Sequence, residues 1–457
     1  MLSCDTFALT GAYSSGGRNL LAKNSDRPVG EAQPLIFVPA ADHAPGETIR
    51  CTQLTIPQVS HSYAVLGSHP FWIWGFEMGA NERGLFIGNE AEGSRCPAES
   101  EEGLLGMDIL RLALERAANA REAIDVIGGL LAAYGQNANA NLRYDRRYEN
   151  SFLLVDDGEI WLLETAGRQW AARQVRDWAA ISNCYSIGKD YDLCSPGMES
   201  FARERGWLYP EEETDFAKAY TLPAIRQTQA LPRFRRAKQL ISACRGALNE
   251  TDIRGILRDH FEGTLLEPRF GAFHADFAGI CMHAQDENGA QTAASMLFTR
   301  DGALGLSFRY APSLPCCSVY LPVYWGTELP EALTLGGGKY DARSLWWCAE
   351  RLAMAVSADE ERFGPGVRAA LGGLQVRIDG MTSEGEKAAK ELLLRGEKEK
   401  ALLLLEELTA SAAELLHKET LRLAEETCAR LRAAGGICGP RKEFLESYCR
   451  WADMTLA

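Results

Sequence analysis

Cys4, near the start of the chain and followed by the polar pair Asp5-Thr6, is the first residue whose type and place could do chemistry. If it becomes the first residue of a matured chain, a thiol and an α-amine of reference pKa ~7.7–8.0 share one residue. That amine is then a built-in general base, and no catalytic His is needed. A buried or incidental cysteine is the plainer alternative, favoured by position alone. Lys23-Asn24-Ser25-Asp26-Arg27-Pro28, at the end of the next predicted strand, weakens it. In a hairpin, Lys23 would lie near Cys4 as a cation stabilising the thiolate, and Asp26 could orient the amine by accepting its N–H. Taken alone, the same stretch is a polar turn closed by Pro28.

Two asparagines follow apolar segments, Asn89 in Gly88-Asn89-Glu90-Ala91 and Asn183 in Ile181-Ser182-Asn183-Cys184. Side-chain amides there can donate to a developing oxyanion, although Asn is also an ordinary turn residue. The run Arg233-Phe234-Arg235-Arg236 opens a predicted helix, where an arginine could meet a substrate carboxylate bidentately or simply be solvated. Other chemistries lack their signatures. His274 and His283, the latter read in a strand, belong to no HExxH and to no cluster at metal spacing, and no GxSxG, GxGxxG or Walker A sequence is present. The 13 cysteines are odd in number, contain no CxxC, and leave Cys316-Cys317 without a second pair to complete a zinc site. Neither a metal nor a cofactor is expected.

Short strands joined by polar turns must position these residues. Phe7–Thr10 and Leu20–Lys23 flank Ser14-Ser15-Gly16-Gly17 as a hairpin, and 35–39, 62–66 and 84–88 continue the β pattern. The period turns helical over 105–134. A hairpin follows at 152–155 and 160–163 around Asp156-Asp157-Gly158. Helices are expected over about 215–262, then strands at 279–282, 294–299, 304–309 and 318–323. From about 331 the chain reads as mostly helical, and 383–433 as a long helix or helical hairpin packing on the core or a second subunit. Ser383-Glu384-Gly385-Glu386 has capping-box spacing there. Strands, helices and strands again point to an α+β layered core, not a doubly wound sheet.

Composition narrows the class. With 457 residues, 46% hydrophobic and 24% charged, the chain can bury a large core. A net charge of −14 repels phosphate backbones, so neither nucleic-acid nor anionic-membrane binding is expected. No apolar run reaches membrane-spanning length. The N-terminus reads poorly as a signal peptide, and mostly reduced thiols suit a cytoplasmic protein.

Taken in order, Cys4-Asp5-Thr6-Phe7 and Ala22–Pro28 resemble the opening of the secernin and dipeptidase A family. So do Phe76–Glu82, Gly88–Ala91, Leu104–Asp108, Glu164–Gly167, Ile181–Asn183 and Ile280–His283, which extends the resemblance over roughly residues 4 to 325. It implies a cysteine N-terminal nucleophile hydrolase with a four-layer αββα sandwich over 1–330 and a helical region over 331–457. By the same resemblance Cys4 is the nucleophile, Lys23 stands where bile-salt and penicillin relatives have Arg, and Asp26 orients the amine. Asn89 and Asn183 fall on the oxyanion side, and Arg233 matches the later active-site Arg. The stretch 135–140 departs from the expected Gly-rich loop, and no motif covers the region beyond about 380.

Leu2 is too large for simple methionine removal, so cleavage of Ser3–Cys4 is expected to expose the Cys4 amine. The expected activity is that of a thiol-dependent dipeptidase acting on small peptides or amides, and a homo-oligomer is compatible with this reading. A secernin-like binding protein, or an acyltransferase on the same scaffold, is the alternative.

Overall fold

The computed structural model describes residues 4–223, 230–244 and 248–456. Removal of Met1-Leu2-Ser3 therefore concerns residues outside that range. The described chain forms two compact units, one of residues up to 23 together with 37–256, the other of 24–36 and 257 onward.

In the unit that contains Cys4, the strands Val65–Ser68, Met78–Asn81, Phe86–Glu92, Glu149–Val155, Ile160–Ala166, Gln169–Val175 and Leu193–Cys194 lie side by side, all antiparallel. Every residue of Ile160–Ala166 is buried, as in a sheet covered on both faces. The helices Gly106–Arg116 and Ala120–Tyr134 pack against it. Asn119 caps the second of them by accepting from Glu122 N at 2.9 Å. Strands Asp5–Leu9 and Trp178–Ile181 pair antiparallel, with Thr6 opposite Ile181, and pack on Phe86–Glu92 and Glu149–Val155. The helix Ala230–Ser242 in turn packs on this pair. Helix, sheet, sheet and helix thus follow one another, the expected α+β order.

The other unit is built on the antiparallel strands Ala290–Asp301, Gly305–Pro312 and Leu321–Tyr324, followed by helices Leu345–Ser357, Glu360–Leu394, Lys398–Ala433 and Lys442–Ala452. The two long helices form the expected hairpin. Gly396, at φ +77°, closes it with bonds from Gly396 N to Leu393 O and from Glu397 N to Leu392 O. Ala389, Ala401, Leu405 and Leu408 pack with Tyr324, so the hairpin covers the sheet of its own unit.

Four expectations are corrected. The boundary at 330 falls inside this second unit, because strands 290–324 and the later helices share a core. Ser383 caps nothing: it lies within Glu360–Leu394, whose N-cap is Asp359, accepting from Arg362 N at 3.2 Å. Gly279–Met282 is irregular, and the strand expected from Ser318 starts at Leu321.

Candidate active site

Cys4 heads the strand Asp5–Leu9 and is 5% exposed. Its backbone N–H donates to Asn183 Oδ1 at 3.1 Å, and Asn183 Nδ2 donates to Ala91 O at 2.7 Å. Arg233 Nη2 donates to the same Asn183 Oδ1 at 2.7 Å and to Ser182 Oγ at 3.0 Å. Arg233 Nε reaches Asp5 Oδ2 at 2.7 Å. Three of the predicted residues, Cys4, Asn183 and Arg233, are thereby brought together. Burial lifts the Asp5 carboxyl above its ordinary pKa, and Arg233 opposes the lift. The helix supplying Arg233 is held against the Cys4 strand by this buried pair, with Arg233 1% and Asp5 2% exposed. Arg233 Nε and Nη2 are both engaged by groups of the protein itself.

Lys23 belongs to the same unit. Its Nζ donates to Asn89 O and lies 3.7 Å from both Glu77 Oε2 and Glu90 Oε1. Thr6 Oγ1 donates to Glu90 Oε1. A Cβ placed on Gly88 would stand 3.1 Å from Lys23 Cδ and 3.3 Å from Thr6 Cγ2, so Gly88 faces the Cys4 strand. Strand alternation puts Glu90 and Glu92 on that face and Asn89 on the other. The Asn89 amide indeed donates to Asn150 Oδ1 at 3.0 Å and approaches Met107 Sδ at 3.8 Å, under helix Gly106–Arg116. The side-chain oxyanion position expected for Asn89 is therefore corrected; only its carbonyl meets Lys23.

The face that meets Cys4's strand is instead lined by carboxyls. Burial pushes Glu90 up to about 8, against the pull of Lys23. It pushes Glu164 up to about 7, with Ser186 N donating at 2.7 Å and Ile187 N at 3.0 Å. Glu92 is raised well above the ordinary range by burial and by the Glu164 charge. Glu90 escaped the sequence reading although it neighbours Asn89; the period of two counted from Gly88 was the signal. Asp5 and Ser182 are the chain neighbours of two residues the reading did select.

Asp26 falls in the other unit, where its Oδ1 accepts from Thr292 Oγ1 at 2.7 Å. A cleft of about 860 Å³ in the unit of Cys4 is lined among others by Trp178, Cys184, Ser186, Leu231, Phe234 and Lys238, the last three on the helix that carries Arg233; Cys4, Asn183 and Arg233 are not among its lining residues. Its lining mixes apolar residues with charged ones such as Arg173, Asp190, Asp215 and Lys238. The expectation of no metal-spaced cluster is also corrected: His260, Cys281, His283 and Cys316 converge in the other unit.

With this geometry in place, the class can be stated. Residues 43–233 match peptidase family C69. That match supports the dipeptidase-family resemblance carried by the ordered blocks, over a segment that holds Asn89, Asn183 and Arg233 and begins after Cys4, Lys23 and Asp26. Among particular proteins, the dipeptidase of Bifidobacterium longum is 27% identical over 219 residues, 42% of this chain and 39% of that protein. A probable dipeptidase of Latilactobacillus sakei is 22% identical over 415 residues, 78% of this chain and 82% of that protein. Solved structures with a likeness include a mutant conjugated bile acid hydrolase from Clostridium perfringens, at 13% identity and TM-score 0.38, covering 73% of this chain and 95% of that one. Penicillin V acylase from Agrobacterium tumefaciens gives 14% identity and TM-score 0.39, covering 70% of this chain and 86% of that one.

Proposed function

We propose that the protein is a cysteine N-terminal nucleophile amidohydrolase, a dipeptidase whose nucleophile is Cys4 after removal of Met1-Leu2-Ser3. The observation that carries this reading is the bond from the Cys4 nitrogen to Asn183 Oδ1, in a chain whose segment 43–233 matches a peptidase family. In the matured chain that nitrogen is an α-amine. Asn183 Oδ1, held by Arg233, accepts one of its N–H bonds and turns the lone pair toward the thiol.

The amine takes the thiol proton as sulfur attacks the amide carbonyl carbon. The C–N bond breaks when the amine returns that proton to the leaving amino group, and a thioester remains on Cys4. Water, deprotonated by the same amine, releases the acid and restores the thiol. The second N–H of Asn183 Nδ2 is a candidate oxyanion donor. Lys23 offsets charge in the layer facing Cys4. A cytoplasmic location fits the free thiols, and no described helix is long and apolar enough to cross a membrane.

Release of free amino acid from a dipeptide panel tests the reading. Cys4→Ala should abolish turnover while keeping the wild-type Tm, and Cys4→Ser should leave little, because an alkoxide forms with difficulty near neutral pH. Full activity of Cys4→Ala would overturn the assignment. Labelling of Cys4 by a thiol-reactive electrophile with no turnover on any amide would favour a binding role.

A further inference from the structure

We infer that His260, Cys281, His283 and Cys316 form a tetrahedral Cys2His2 site for a divalent zinc ion, separate from the proposed nucleophile. Their ligand atoms all lie within 4.8 Å of one another. His283 Nε2 is 3.1 Å from His260 Nε2, 3.6 Å from Cys281 Sγ and 3.4 Å from Cys316 Sγ. A tetrahedral zinc with bonds of ~2.0–2.3 Å separates neighbouring ligand atoms by roughly 3.3–3.8 Å. The two sulfur distances from His283 Nε2, 3.6 and 3.4 Å, fall in that range and the 3.1 Å to His260 Nε2 lies just below it.

Hydrogen bonding alone accounts poorly for this crowding. One imidazole nitrogen faces three partners, yet an N–H offers one proton and a bare nitrogen one lone pair. A shared cation satisfies all four groups together. The tautomer at His260 suits such a cation: its Nδ1 lies 3.0 Å from Glu262 Oε1. Donation there leaves the Nε2 lone pair facing the cluster, the carboxylate–histidine arrangement that supports metal ligands. The His283 ring is set by packing instead, edge-on to Phe273 with centroids 4.2 Å apart. Charge also balances. Two thiolates and two neutral imidazoles cancel a divalent cation, so a nearly closed site carries no net charge that burial would penalise.

Separate loops deliver the ligands. His260 follows helix Glu250–Leu257, and Cys281 N donates to Asp259 O at 3.1 Å, which brings the 281–283 segment alongside. Cys316 sits in the tight turn Pro315–Cys317. A cavity of about 450 Å³, lined by His260, Glu262 and Cys316 with Glu360 and Arg368, gives the ion a way in. Four protein ligands fill a tetrahedron and leave no position for substrate, so the role is structural. Sulfur with imidazole in this geometry selects zinc over magnesium or calcium.

Metal analysis of the full-length protein, purified without a polyhistidine tag, tests the site. About one zinc per chain is expected, falling at least ~10-fold in Cys281→Ser/Cys316→Ser. Should that variant fail to fold, Co2+ titration of the chelator-stripped wild type decides. A tetrahedral Co2+ spectrum with thiolate-to-metal charge transfer, abolished by equimolar Zn2+, supports the site. Wild-type protein that binds neither zinc nor cobalt, or that carries a Cys281–Cys316 disulfide, overturns it.

Discussion

The chemistry proposed for Cys4 depends on one nitrogen and the groups that aim it. Arg233 touches Asn183, Ser182 and Asp5 and so acts as a positioning residue. Arg233→Ala strands the buried Asp5 and should cost about 3–5 kcal/mol of stability, read by chemical denaturation. Arg233→Lys keeps the charge but loses the fork that spans these partners. It should lower kcat with little change in KM and shift the acid limb of the pH–rate profile, where the Cys4 amine titrates. A loss of Tm with an unmoved limb would reduce Arg233 to a scaffold role. Glu90 gives a second prediction. Its folded pKa, about 8, lies above the unfolded carboxyl value, so the folded state holds the extra proton. Its effect on stability is complete below the unfolded pKa and is lost as pH rises toward 8. Glu90→Gln should flatten the fall in stability between about pH 5 and 8, as measured by urea midpoints across that range. An unchanged slope would show that Glu90 is ionised in the folded protein.

Among the elements, strand parity decides which side chains reach the site. Gly88 lies against Thr6 and Lys23, and Gly88→Val should force those side chains apart, lowering both Tm and turnover. In the helical hairpin, Leu405 is 2% exposed within the Tyr324 cluster. Leu405→Ala should cost roughly 2–5 kcal/mol by leaving a cavity, measured by urea unfolding. Much of this level was legible in the sequence. The hairpin 152–163 and the helices of 105–134 show in periodicity and turn residues, because each is stabilised by contacts close in sequence. Asn89 was misplaced because motif spacing ignores the face a side chain occupies. Ser383 matched a capping box yet sits in an unbroken helix, since packing against the partner helix overrides a local cap signal. The His260–Cys316 cluster was illegible for a different reason: its ligands come from irregular segments that only long-range contacts bring together.

Across the whole molecule, the proposed activity depends on maturation. The −14 charge disfavours polyanionic partners. Everything proposed for Cys4 requires its nitrogen to be a free amine. Intact mass with N-terminal sequencing of active wild type and of Cys4→Ala is the most direct measurement. The account predicts a wild-type chain beginning at Cys4 and a mutant retaining Met1-Leu2-Ser3, the signature of self-processing. Fully active protein that still begins at Met1 would contradict the free-amine mechanism.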